Sequence, residues 1–192
     1  EAEPWQRLAA ALIRAGQDAE ALPALDAALA LRPDSLNLLL SAGAASYRIG
    51  QLGAAEARYR SALLQAPQGV EALAGLAAIC ARQDRPEEAL ALAGRALALR
   101  PSLPTAELAA GRAELLTGRI EAAGARMARL LAEEALDAGS RIAALDLRAE
   151  AWDRLDRTAD AFADYASRNA LLRARHAAEF EHATAARRAR SS

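Results

Sequence analysis

Few side chains in this sequence are equipped for chemistry, and their spacing decides what they can do. The two histidines, His176 and His182, stand six residues apart. On a helix that is about 600° of turn, so they lie on different faces and do not share a metal ion. The single cysteine, Cys80, excludes an internal disulfide. It sits in an apolar stretch with no base beside it, which makes it a structural thiol rather than a nucleophile. No glycine-rich phosphate loop occurs. The expectation is a chain that is not itself an enzyme, with no cofactor and no metal. What remains is arginine: all 24 basic residues are Arg. Arg14, Arg48 and Arg82 recur at a constant interval of 34 (48−14 and 82−48). A row of guanidinium groups suits a carboxylate or an acidic peptide. The competing reading is that an Arg in the last turn of a helix simply complements the helix dipole.

Such a row needs helices to hold it, and the composition supplies them. Hydrophobic residues make up 53% and aromatics only 4% of 192 residues, so the apolar content is mostly Ala and Leu, which favour helix. The Ala and Arg bias points to a GC-rich bacterial gene. A net charge of −1 gives no global attraction to nucleic acid or anionic membrane. No apolar run approaches the roughly 20 residues of a membrane span. The chain starts at Glu1 rather than Met, which points to a trimmed piece of a longer protein, one that could have lost an N-terminal signal. The localisation expected is cytoplasmic.

The stretch Val70 to Leu103 shows the unit of organisation. Apolar residues recur every three to four positions on both sides of a break at Gln83-Asp84-Arg85-Pro86, and Pro101 closes the second segment. That is a pair of amphipathic helices, neither able to bury its stripe alone. Copies of it flank it. Pro33, Pro67 and Pro101 are 34 apart, as are Ala21, Ala55, Ala89 and Ala123. Gly16, Gly50 and Gly118 keep the same spacing, with Asp84 in the missing slot. These positions are those of the tetratricopeptide (TPR) repeat, and the chain resembles that family. The resemblance implies an all-α, right-handed TPR solenoid. Repeats fall at 2–35, 36–69, 70–103, 104–137 and, divergently, 142–175, with the end of a capping helix and a frayed tail at 176–192.

Four further expectations concern boundaries. The glycines take left-handed backbone at the ends of the first helices. Asp34 or Ser35 caps repeat 2, Ser102 with Pro104 does the same for repeat 4, and Thr158 caps a final helix of roughly 28 residues. The interval from Ala123 to Ala161 is 38, and the four extra residues are expected between Glu133 and Ser140, with Asp137-Ala-Gly-Ser as a loop. Small residues at Ala9, Gly43, Ala77, Gly111 and Ala149, and at Ala21 through Ala161, are required where paired helices approach.

The resemblance also implies where function lies: in a concave groove lined by the first helix of each repeat. Carried over by register, the groove residues include Arg14 in repeat 1, with Gln6, Ala10 and Ile13. Repeat 2 contributes Asn37, Leu40, Ser41, Tyr47 and Arg48, and repeat 3 contributes Ala78 and Arg82. Repeat 4 contributes Leu108, Arg112 and Leu115, and repeat 5 contributes Asp146, Glu150 and Arg154. Arg14, Arg48, Arg82 and Arg154 share one repeat position, and Ala44, Gly75, Ala78 and Ala81 form a deep, smooth floor with Tyr47 beside it. The partner implied is a protein or peptide, acidic or helical, with a homodimer as a further expectation and neither nucleic acid nor membrane. The carboxylate clamp of chaperone-binding TPRs is not matched, since Gln6, Ala10 and Ser41 replace its Lys and Asn residues. Leu155, Arg157, Ala161, Phe162, Asn169 and Arg173 resemble the last repeat of bacterial TPR-sulfotransferases. That implies the alternative of a non-catalytic, substrate-presenting or dimerising arm.

Overall fold

In this computed structural model the backbone is described for residues 1–190 and the side chains for residues 1–177. His182, Phe180 and the tail at 191–192 therefore lie outside the described side chains. Ten α-helices and no strand occur among the described residues. They are α1 (Glu3–Arg14), α2 (Asp18–Leu31), α3 (Leu36–Arg48), α4 (Leu52–Gln65), α5 (Val70–Arg82), α6 (Pro86–Leu99), α7 (Pro104–Leu116), α8 (Ile120–Leu131), α9 (Ala138–Arg154) and α10 (Thr158–Arg190). The chain forms two compact units, Glu1–Leu116 and Thr117–Ser192. The fourth sequence repeat is divided between them.

In the first unit, α1 packs on α2, α3 on α4 and α5 on α6, and each hairpin leans on the next. The repeat punctuation acts as its chemistry requires. Gly16 and Gly50 end α1 and α3 at φ 74° and 83°, a left-handed conformation that costs glycine nothing. Asp84 adopts φ 55° at the same repeat position, since Asp is among the residues that tolerate this region. Pro86 and Pro104 open α6 and α7, where a missing N–H breaks no helical bond. Ser102 does not cap α7. It stands at φ 58° in the preceding turn, and the Leu103 carbonyl accepts the amides of Ala106 and Glu107.

The small-residue sites are the core. Ala21, Ala55 and Ala89 are fully buried, as are Ala28, Ala62 and Ala96. Tyr59 of α4 lies between two glycines on neighbouring first helices. A Cβ on Gly43 would sit 2.9 Å from its ring, and one on Gly75 would overlap it outright. Gly75 therefore receives a ring and is no part of a groove floor. Ala78 and Ala81 are buried as well, because α7 packs closely against α5.

The second unit holds α8, α9 and α10, with α9 packed on both of its neighbours. The four extra residues are not a loop. They lengthen α9 to 17 residues, against 13 in α3, α5 and α7. The Asp137 carboxylate accepts the Ser140 amide at 3.0 Å and caps the helix, so Ala138-Gly139-Ser140 become its first turn. Thr158 is the first residue of α10 rather than its cap, and the Arg157 carbonyl accepts the Ala161 amide. α10 runs 33 residues, past the expected 28 and through Arg187–Arg190.

Candidate functional site

The arginine row is the place to test a binding reading, and the structure reassigns most of it. Arg48 ends α3 and grips Asp18 at the start of α2 with two hydrogen bonds of 2.6 and 2.5 Å. That hydrogen bonding, opposed by some burial, holds the Asp18 carboxyl below the usual carboxylate range. Arg82 places its guanidinium 5.0 Å from the Tyr47 ring centroid and donates to the Tyr47 carbonyl. Arg154 pairs with Glu150 one turn earlier on α9. Of the four expected ridge residues, only Arg14 makes no side-chain hydrogen bond or ion pair among the described residues.

Other arginines repeat the pattern. Arg58 of α4 reaches Asp26 of α2 at 2.6 Å and also donates to the Ser46 hydroxyl. Arg85 before α6 reaches Glu56 of α4 at 3.0 Å, and Arg95 of α6 donates to the Pro67 carbonyl at 3.0 Å. Burial opposes ionisation of Glu56, but Arg85 and Arg60 overcome it and lower its pKa. Arg48, Arg58, Arg82, Arg85 and Arg95 each tie one hairpin to the preceding one.

The remaining expected residues divide sharply. Ala78 and Leu115 are buried, at 8% and 1% exposure, and line no open surface. Leu40, Tyr47 and Leu108 are half-buried, and Arg112 is exposed. In the second unit Asp146 is held by Arg168, whose guanidinium also lies 5.0 Å from the Tyr165 ring centroid. Asn37 and Arg14, by contrast, are brought together.

They line a cleft of about 540 Å³ between α1 and α3. Its α1 side is Gln6, Ala9, Ala10, Ile13 and Arg14, and its α3 side is Asn37, Leu38 and Ser41. Leu25 forms part of the floor, and Arg32 and Ser35 stand at the turn after α2. Gln6, Ala10, Ile13, Arg14, Asn37 and Ser41 are the positions that the repeat register assigned to the groove. The cleft exists here because α1 and α3 part, whereas α5 and α7 close upon each other. Arg32 was not foreseen. Its counterpart two repeats on, Arg100, pairs with Glu71 at 2.8 Å. The residue equivalent to Glu71 is Glu3, which pairs with Arg7 instead, and Arg32 is left without a partner among the described residues. The signal that finds it in sequence is an arginine whose repeat-related acid is claimed elsewhere.

A second cleft, about 770 Å³, lies within the other unit between α8, α9 and α10, lined mainly by Ala128, Leu131, Ala132, Leu145, Ala170 and Leu171. Arg141 at its edge donates to the Leu131 and Glu133 carbonyls, and Arg148 is locked to the buried Asp164 at 2.7 and 2.6 Å. No group of His, Cys, Asp and Glu among the described residues is arranged to hold a metal ion. No described helix is long and apolar enough to cross a membrane.

Neither a protein-family model nor a curated relative matches the sequence. Solved structures do. A thermophilic TPR protein from Thermus thermophilus, TTC0263, superposes with a TM-score of 0.73 at 22% identity, covering 93% of this chain and 98% of that one. PilW, a type IV pilus biogenesis factor, gives 0.71 at 24% identity over 87% and 77% of the two chains. MamA from Desulfovibrio magneticus RS-1 gives 0.67 at 17% identity over 90% and 96%. The fold is thus a TPR solenoid, and at these identities the likeness speaks to fold alone.

Proposed function

We propose that this chain is a protein-interaction scaffold whose first unit binds a partner segment in the α1–α3 cleft. The observation that carries this reading is convergence. Positions that TPR register assigns to the binding face line an open cleft of that unit, while the same positions near α5 are buried or tied. The cleft has apolar walls and four uncharged polar side chains, Gln6, Ser35, Asn37 and Ser41. These can satisfy the backbone of a bound segment. Selection of a random displayed-peptide library on the chain should enrich clones that no longer bind Ala10→Trp, because Ala10 is exposed within the cleft. Enriched clones that bind the filled cleft equally well would refute the site.

A second reading, the non-catalytic arm of a bacterial TPR-sulfotransferase, is favoured by one observation. Phe162, Asn169 and Arg173 are all exposed, and their spacing of 7 and 11 residues from Phe162 sets them on one stripe of α10. Phe162 is 74% exposed, as a residue waiting for a neighbour would be. The reading frame beyond Ser192 tests it: a sulfonucleotide-binding domain there supports the arm, and a stop codon removes it.

A further inference from the structure

We infer that the segment bound in the α1–α3 cleft is extended and acidic, with two side-chain carboxylates about six residues apart. This deepens the binding reading above and rests on it. Three observations carry it. First, the guanidinium groups of Arg14 and Arg32, both residues lining the cleft, make no hydrogen bond or ion pair among the described residues, unlike those of the arginines that tie the hairpins together. Second, no carboxylate lies among the residues that line it, and Asp34, which lines an adjoining opening with Arg32 and Ser35, makes no ion pair with Arg32. Third, the backbones that carry the two cations stand at opposite ends of the α1–α2 hairpin. Arg14 is the last residue of α1, Arg32 follows the last residue of α2, and the two helices form an antiparallel hairpin. The 14 residues of α2 set that separation at roughly 20 Å.

Length selects the conformation. An extended chain crosses roughly 20 Å in about six residues, at 3.3–3.6 Å each. A helix would need about 13 and would satisfy its own backbone. Gln6, Ser35, Asn37 and Ser41 lie along the cleft as donors and acceptors, which an extended backbone uses and a helix does not. Guanidinium groups accept carboxylates with charge-assisted, two-pronged hydrogen bonds. A chain terminus places only one carboxylate, so the inference commits to side chains of an internal segment.

The test uses the whole chain and fluorescein-labelled peptides read by anisotropy. The probe is acetyl-EALSALE-amide, which has blocked ends and a glutamate at each end. Controls are acetyl-QALSALQ-amide and acetyl-EEALSAL-amide. We expect measurable binding of the probe that weakens with added salt. Arg14→Gln and Arg32→Gln should each weaken it about tenfold, the loss of one charge-assisted hydrogen bond. The glutamine peptide and the adjacent-glutamate peptide should both bind more weakly. Equal binding of the glutamine peptide, or no change in both arginine variants, overturns the acidic assignment. Equal binding of the adjacent-glutamate peptide overturns the two-ended grip. Ala10→Trp separates the two levels. If it abolishes binding of the neutral and acidic peptides alike while the arginine variants change nothing, the cleft stands and its acidity falls. If the probe binds Ala10→Trp undiminished, both fall.

Discussion

Tyr59 shows what single residues contribute here. It is the one aromatic that the first unit buries almost completely, and burial pushes its hydroxyl pKa up to about 12. Two glycines make its slot. Gly75→Ala would gain helix propensity of about 1 kcal/mol, yet its methyl would occupy the ring. Overpacking of this kind costs roughly 1–3 kcal/mol, and a buried ring has nowhere to move. A lowered Tm is therefore expected for Gly75→Ala. Gly94→Ala in α6 should raise it by about 0.5–1 kcal/mol of stability, since nothing lies within 4 Å of its Cβ position. Thermal unfolding followed by circular dichroism reads both signs. The small sites were legible because the repeat spacing marks them. The fate of Gly75 was not, since spacing cannot say whether a small residue opens a floor or admits a neighbour's ring.

Among the elements, α9 departs furthest from its siblings. A sequence interval of 38 reveals four extra residues but not which element absorbs them. Asp-Ala-Gly-Ser reads as a loop by composition. The deciding contact is local, an Asp137 carboxylate on the Ser140 amide, and it turns the same four residues into a helix start. The Ser140 side chain, and after it that amide, lowers the Asp137 pKa. Asp137→Ala should cost about 1 kcal/mol, the usual worth of an N-cap, and should expose amides at 138–140 to faster hydrogen exchange. Unchanged exchange there would remove the cap from the account. α5 departs in the other direction. It is buried on nearly all sides, because Ala and Gly let α3, α4, α6 and α7 all approach it. The Ala-rich run suggested an open floor, and α7 closed it.

At the scale of the whole molecule, the arginines are the lesson. Their 34-residue spacing is plain in sequence, and both a binding ridge and a dipole role were consistent with it. Partner positions decide between roles, and these lie about 30 residues away across a hairpin. Asp18 and Asp26 answer Arg48 and Arg58, and Glu56 answers Arg85. Such ties make stability depend on acid. The folded Asp18 pKa lies below its usual 3.8, so its contribution is present at neutral pH. It is lost as pH falls through about 4 and below, where the folded carboxyl gains its proton. Asp18→Asn should cost roughly 1 kcal/mol at pH 7, near the top of the range for partly exposed pairs, and little at pH 3. Urea unfolding at the two pH values measures the difference. The exposed Trp5 and Leu8, against the buried Leu39 at the same repeat position as Trp5, mark α1 as the helix with no hairpin before it among the described residues.

The enclosure of α5 also turns the chain's one thiol into a clock. Cys80 is fully buried, and burial raises its pKa to about 11, so neither access nor ionisation favours attack in the folded state. A thiol reagent must wait until the helices around α5 separate. When reclosing is fast, the labelling rate then reports the equilibrium between closed and open forms of the first unit, without any engineered probe. An occupant of the α1–α3 cleft that steadies that unit would slow the clock, and its own affinity would become readable from a chemical reaction several helices away.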